Sequence, residues 1–233
     1  MVPQDSPLPL TADLSGDKPA KRIANSEYGC RLSATLPGGD VALYALRTWN
    51  KMPAIETLPC EDGLSLLLMG RYRRMTMFGV DCAIPIGQVV LRGEGTVYLH
   101  EAQSARLGYR VTNRNTISGL IGLDWYPGAD WTLSVQYCHR YVMGDMEGIQ
   151  GYRNSGLATL RLGKQLLGNT LSLSTFAYVD VSNGALFNRF AAIYAVTDQI
   201  GVTLGYDYFY ADKGMFALYK HNSQAWLKLK YSF

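Results

Sequence analysis

The chain closes on Gln224-Ala225-Trp226-Leu227-Lys228-Leu229-Lys230-Tyr231-Ser232-Phe233. In an extended segment Ala225, Leu227, Leu229, Tyr231 and Phe233 share one face, and Gln224, Trp226, Lys228, Lys230 and Ser232 share the other. A strict period of two is the mark of a β-strand with one apolar and one polar side. Two environments accept such a strand. A soluble sandwich turns the apolar side inward, whereas a membrane barrel turns it outward to lipid and encloses the ionic groups. The terminal aromatic favours the second, and the rest of the sequence is read in that light.

Working back from this segment, alternation recurs over about eleven stretches: 27–36, 40–49, 70–85, 88–101, 112–126, 130–142, 154–163, 169–181, 186–197, 199–211 and 222–233. Each alternates over roughly the 9–13 residues that a tilted membrane strand needs. Short connections at Pro37-Gly38-Gly39, Pro85-Ile86-Gly87, Pro127-Gly128-Ala129, 163–169 and Thr197-Asp198 alternate with mostly longer ones at 50–69, 102–111, 143–153 and 212–221. Short periplasmic turns and longer outer loops are the habit of outer-membrane barrels. The expected fold is therefore all-β, an antiparallel up-and-down transmembrane β-barrel. With Phe233 at the periplasmic side, strand 27–36 runs downward from the outer surface. Bacterial barrels begin and end on the periplasmic side, so the parity points to the C-terminal part of a larger barrel. Residues 1–26 carry Pro3, Pro7, Pro9 and Pro19 without periodicity and read as an extended loop or disordered arm before barrel strands over 27–233.

Composition removes other classes. The 233 residues are 48% hydrophobic with a mean hydropathy of −0.04, yet no run of about 18 uncharged apolar residues exists for a membrane helix. Aromatics make up 12%, with 16 Tyr, alongside 24 Gly, which suits interfacial girdles and tight turns. A net charge of +3 without a Lys/Arg block excludes nucleic acid as the expected partner. Cys30, Cys60, Cys82 and Cys138 are far apart with no CxxC spacing, so neither a metal nor any other cofactor is expected. Met1-Val2-Pro3-Gln4 does not open a secretory leader; a removed leader or a longer parent chain accounts for that.

Alternation assigns Phe78, Val80, Cys82, Ile84, Val89, Leu91, Val97 and Leu99 to lipid, with Tyr98 and His100 inward. The inward, lumen-lining set comprises Arg31, Arg71, Arg73, Asp81, Arg92, Glu94, Arg114, Asp124, Arg140, Arg161, Asp180, Arg189, Asp207, Lys228 and Lys230. A hairpin symmetric about Ile86-Gly87 sets Asp81 opposite Arg92 as a cross-strand ion pair. Basic groups outnumber acidic ones in this set, which favours anions in a pore; an Arg–acid ladder that merely fills the interior is the alternative. Trp125, Tyr126 and Trp131 near the Pro127 turn, and Tyr137, Tyr141, Tyr208 and Tyr210 at the opposite strand ends, supply the two girdles.

Two stretches echo each other: Phe78-Gly79-Val80-Asp81 before Pro85, and Ile121-Gly122-Leu123-Asp124-Trp125 before Pro127. With Ser26-Glu27-Tyr28-Gly29 and the Leu229-Lys230-Tyr231-Ser232-Phe233 ending, they resemble a family of large, uncharacterised Gram-negative outer-membrane barrels described as porin-like or of unknown function. The resemblance implies more strands upstream and brings no catalytic residue.

The expected function is a porin-like channel in the bacterial outer membrane for passive passage of small solutes or hydrophobic compounds, with loops 50–69 and 143–153 as gates. Its expected partners are outer-membrane lipid and, through the C-terminal strand, the outer-membrane assembly machinery. A soluble β-barrel or sandwich that binds a ligand is one alternative. An outer-membrane lipid-modifying enzyme is the other, and it needs a nucleophile beside a histidine. Only His100, His139 and His221 are present, without a GxSxG elbow. His139, on the lipid-facing parity beside Ser134 and Tyr137, is the one arrangement of interest. Its aromatic neighbours favour an interfacial belt histidine, so the sequence leads to a protein that is not an enzyme.

Overall fold

The computed structural model describes residues 9–15, 17–60 and 65–233. Eleven strands form one antiparallel sheet: β2 (Tyr28–Leu36), β3 (Gly39–Trp49), β6 (Arg74–Ile86), β7 (Val89–Gln103), β8 (Thr112–Trp125), β9 (Trp131–Val142), β10 (Asn154–Leu166), β11 (Leu171–Asp180), β12 (Ala185–Ala195), β13 (Ile200–Tyr210) and β14 (Gln224–Tyr231). Chain order and sheet order agree from β6 to β14, with β3 and then β2 following β6 at the far side. Consecutive hairpins thus build an up-and-down wall, and the strands at its two edges, β2 and β14, pair on one side only. The chain is an all-β protein of the outer-membrane barrel type.

Which face meets lipid follows from burial. Leu229 is 71% exposed, Ile121 68% and Leu204 56%. The buried residues of the wall include Asp124, Asp207 and Thr116. A soluble sandwich would bury the leucines and expose the aspartates. A wall with aliphatic groups outward and carboxylates inward is stable only against hydrocarbon, so the outer membrane is its location. Trp125, Tyr126 and Trp131 are exposed at the end with the short turns, and Tyr141, Tyr208 and Tyr210 at the other, where aromatic belts form.

Three further strands lie outside the wall. β4 (Ala54–Pro59) and β5 (Leu66–Arg71) form a hairpin within the connection between β3 and β6, and β1 (Leu10–Asp13) joins β5 in parallel. β5 buries alternate residues Leu66, Leu68 and Gly70. Gly70 has no room for a side chain, because an added Cβ would sit 2.8 Å from the Leu14 carbonyl oxygen. The hairpin is bonded to the outer loop 104–111, which in turn is bonded to the loop 143–153. Ala105 N–H donates to the Ile55 carbonyl at 2.8 Å, Gly108 N–H to that of Thr57 at 3.2 Å, and Gln150 N–H to that of Ser104 at 2.8 Å. Val142, Ile149, Ala105 and Ala54 are buried here. The driest part of the described molecule is this outer cap, and the loops expected as gates, 50–69 and 143–153, are tied together through 104–111.

Three expectations are corrected. Asp81 faces Glu94, and Arg92 faces Ala83, because the hairpin turns at Gly87-Gln88 with Ile86 opposite Val89. Gly87 takes φ +59° there, as tight two-residue hairpins require. Pro85 belongs to β6 at a level where β3 has already ended, so its missing N–H leaves no partner wanting. Arg71 and Arg73 leave the inward set, since β5 stops at Arg71 and β6 starts at Arg74. Both reach Asp17 instead, Arg73 at 3.0 Å. His100 is an exposed bulge residue with φ +62°, and its N–H donates to Asn115 Oδ1 at 3.1 Å.

Candidate functional site

Strand register collects most of the anticipated charged residues on one face. Arg31 lies beside Tyr44, with its guanidinium 5.5 Å from the ring centre. Arg92 Nε donates to Asp124 Oδ2 at 2.7 Å, two residues along β8 from its direct neighbour Gly122. Arg140 reaches Glu101 at 2.8 Å and the Gln103 side-chain oxygen at 3.3 Å. Arg189 holds both oxygens of Asp207, at 2.7 and 2.8 Å. Arg161 stands between Ser134 and Phe176, and Lys228 and Lys230 oppose Thr203 and Gly201. Asp81 and Glu94 face each other across β6 and β7. Arg114 is spent on backbone carbonyls, with Nε donating to that of Asp145 at 2.9 Å. Asp180 accepts the Ser182 and Asn183 N–H groups at 3.1 Å each, closing the β11–β12 turn. This face carries three separate ion pairs, Arg92–Asp124, Arg140–Glu101 and Arg189–Asp207, among further charges set beside uncharged neighbours or, at Asp81 and Glu94, beside each other, and the four cysteines near it and elsewhere are free.

In the cap, Glu56 is 2% exposed and accepts from Arg71 at 2.7 Å and from the Val111 N–H at 3.0 Å. Burial pushes its carboxyl pKa up, but the Val111 N–H and the Arg71 guanidinium outweigh that and hold it below its ordinary value. The carboxylate is a structural anchor.

The aliphatic face carries one polar cluster. β9 presents Leu133, Val135, Tyr137, His139 and Tyr141 to that side, and β10 presents Asn154, Gly156, Ala158 and Leu160. Tyr137 Oη lies 3.0 Å from His139 Nδ1, and His139 Nε2 lies 3.3 Å from Asn154 Oδ1. An amide oxygen only accepts, so Nε2 carries the proton and Nδ1 accepts from the phenol. Both direct cross-strand neighbours of His139 are glycines, Gly119 on β8 and Gly156 on β10. They leave a notch in an otherwise aliphatic surface. The space over Gly156 is taken by Tyr137, because an added Cβ there would lie 2.6 Å from Tyr137 Oη.

Ser134, expected beside His139, sits on the charged face next to Asp124 and takes no part. Asn154 was missed in the sequence because it lies 15 residues from His139, across a long loop; only the hairpin register joins them. The chemical relation within the cluster is a hydroxyl bonded to a base whose second nitrogen is held by a third group. It sits roughly 10 Å below the outer end of β9, counting three residues from Val142. Tyr141, one step above, belongs to the aromatic belt.

No family model matches the chain, and no curated protein matches it. Among solved structures it is similar to outer membrane phospholipase A from Escherichia coli. The identity is 12%, over 88% of this chain and 81% of that one, with a TM-score of 0.36. An active-site mutant of the same enzyme gives 12%, 88%, 76% and 0.36. The Salmonella typhi outer membrane phospholipase dimer with bound calcium gives 12%, 88%, 76% and 0.34. These matches correct one sequence expectation, that of a protein without enzymatic activity: the structures matched are those of an enzyme. Likenesses of this degree assign no role to any residue here.

Proposed function

We propose that this outer-membrane barrel protein cleaves or transfers ester-linked acyl groups of membrane lipid at its outer, lipid-facing surface. The observation that carries the reading is the Tyr137–His139–Asn154 cluster between two glycines. Ionisable groups turned toward lipid are costly and are retained for function. In this mechanism the Tyr137 oxygen attacks the ester carbonyl carbon while its proton passes to His139 Nδ1. His139 then returns the proton to the departing alcohol oxygen as the old ester bond breaks. Water, deprotonated by the same nitrogen, releases the acyl group from Tyr137. Asn154 keeps the imidazole in the required tautomer and orientation throughout.

The test is fatty-acid release from phospholipid in mixed micelles by the purified, folded chain. His139→Ala and Tyr137→Phe should each reduce it by more than about a hundredfold. Equal turnover in wild type and both variants, or none in wild type, rejects the assignment.

A second reading is passage of small solutes or hydrophobic compounds along the charged face, which would then be the lumen wall. It is supported by the gathering of Arg31, Arg92, Arg140, Arg161, Arg189, Lys228 and Lys230 on one side of the sheet. Planar-bilayer conductance tests it, and a protein that inserts without conducting removes it.

A further inference from the structure

The charged face is interrupted near its outer end by a patch of rings. Tyr178 on β11 is the direct neighbour of Phe187 on β12, and Phe187 of Phe209 on β13, so three aromatic side chains stand in a row across three strands. A 3-10 turn, Met215–Tyr219, lies over them and adds Phe216 and Tyr219. The rings form a continuous cluster. Phe187 is 4.7 Å from Phe209 and 6.2 Å from Phe216, and Phe209 is 5.7 Å from Tyr219, centre to centre. With Leu157 of β10 they line a groove of about 460 Å³, within the size range of small-molecule sites.

An outer-membrane barrel is normally polar inside, so an aromatic groove on the ionic face calls for a reason. Packing alone does not supply one. The rings leave space between the turn and the strands where a filled core would leave none. The chemistry of the walls selects the occupant. Arg189 has its guanidinium 5.8 Å from the Phe187 ring centre but is held by both oxygens of Asp207. Its charge is therefore already answered, and an anionic ligand would have to break that pair. Ring faces and edges at these separations favour a flat aromatic guest by offset stacking and edge contacts.

We infer that this groove is a binding site for a neutral aromatic compound, reached from the outer mouth and separate from the His139 cluster, which lies on the opposite face of the sheet. The site does not depend on ester cleavage, and His139→Ala should leave it intact.

The experiment uses the full chain folded in lipid nanodiscs and 3-trifluoromethyl-3-phenyldiazirine, a neutral aromatic that forms covalent adducts on irradiation. Adducts are mapped by mass spectrometry with and without excess biphenyl. The expected result is labelling within 209–219 that biphenyl reduces at least fivefold, while labelling of Leu204 and Leu227 on the aliphatic face is unchanged. Phe216→Asp and, separately, Phe187→Ala should each abolish the competed fraction. Adducts confined to the aliphatic face overturn the inference. So does labelling at 209–219 that neither biphenyl nor the substitutions diminish. The wild-type competition decides even if a variant does not fold.

Discussion

The outer cap and the strand wall are stabilised in opposite ways. In the cap, β4 and β5 with Ala105, Val142 and Ile149 bury a small apolar core, and a single carboxylate, Glu56, gathers Arg71 and Val111 in a dry setting. In the wall, side chains on both faces are largely accessible within the chain. Its order rests on the ladder bonds between strands, with pairs such as Arg189–Asp207 laid along them. The lesson is that one kind of contact has very different weight in the two places. A salt bridge whose arginine is half exposed contributes about 0–1 kcal/mol. Removing the anion of a buried pair leaves its partners unsatisfied at several times that cost.

Glu56→Ala should therefore be the most disruptive single change. It is expected to cost about 3 kcal/mol locally, read as roughly hundredfold faster amide exchange at Ala105 and Val111. Amides of β10 and β11 should not change; if they exchange faster as well, cap and wall are one cooperative unit and the contrast fails. Acid should act in the same place. Glu56 has a lowered folded pKa, so its contribution is complete above the ordinary carboxylate value near 4.3 and is lost as pH falls through the lower folded value. Cap exchange should accelerate as pH falls below the ordinary carboxylate value, and Glu56→Gln should remove that dependence.

Within the wall, Gly156→Ala should displace the Tyr137 phenol at a cost of about 1 kcal/mol in stability. It should lower ester cleavage by more than about tenfold. Gly119→Ala, where the nearest contact is the Glu94 carbonyl oxygen at 3.7 Å, should do neither, which separates crowding of the notch from a general loss of glycine. The smallest effect belongs to Arg189→Ala. A shift of under about 1 kcal/mol, fading in high salt, is expected by thermal melting in detergent. A shift of several kcal/mol would show that the wall uses its charges as the cap does.

Legibility followed the same division. All eleven wall strands are readable because each has one apolar face, and alternation is the signature of that asymmetry. β4 and β5 escaped because the run Leu66-Leu67-Leu68-Met69 reads as continuous apolar sequence, which does not alternate. β1 is too short to show a period. Alternation over 70–85 runs straight through the break at Tyr72-Arg73, which is why it places Arg71 and Arg73 in the inward set. The Asp81–Arg92 pairing failed by two residues because Pro85 looked like part of the turn. Register depends on turn geometry, and a proline at the end of an edge-free strand imitates one. His139 and Tyr137 could be placed on one face from the sequence alone. Asn154 could not, because nothing in a sequence states which residue a hairpin brings alongside.

The bulge of β7 between Tyr98 and Glu101 divides that strand into two phases. Below it, even-numbered residues such as Arg92 and Glu94 point to the ionic side. Above it, the odd-numbered Glu101 and Gln103 do, and only so can Arg140 meet them. The extra residue acts as a gearbox between the membrane-spanning length and the cap. Deleting His100 would abolish the bulge and leave plain alternation, with Glu101 two places from Tyr98, still opposite Arg114 and still on the ionic side. The same device lets the cap be rebuilt by a residue at a time without re-threading the span beneath it.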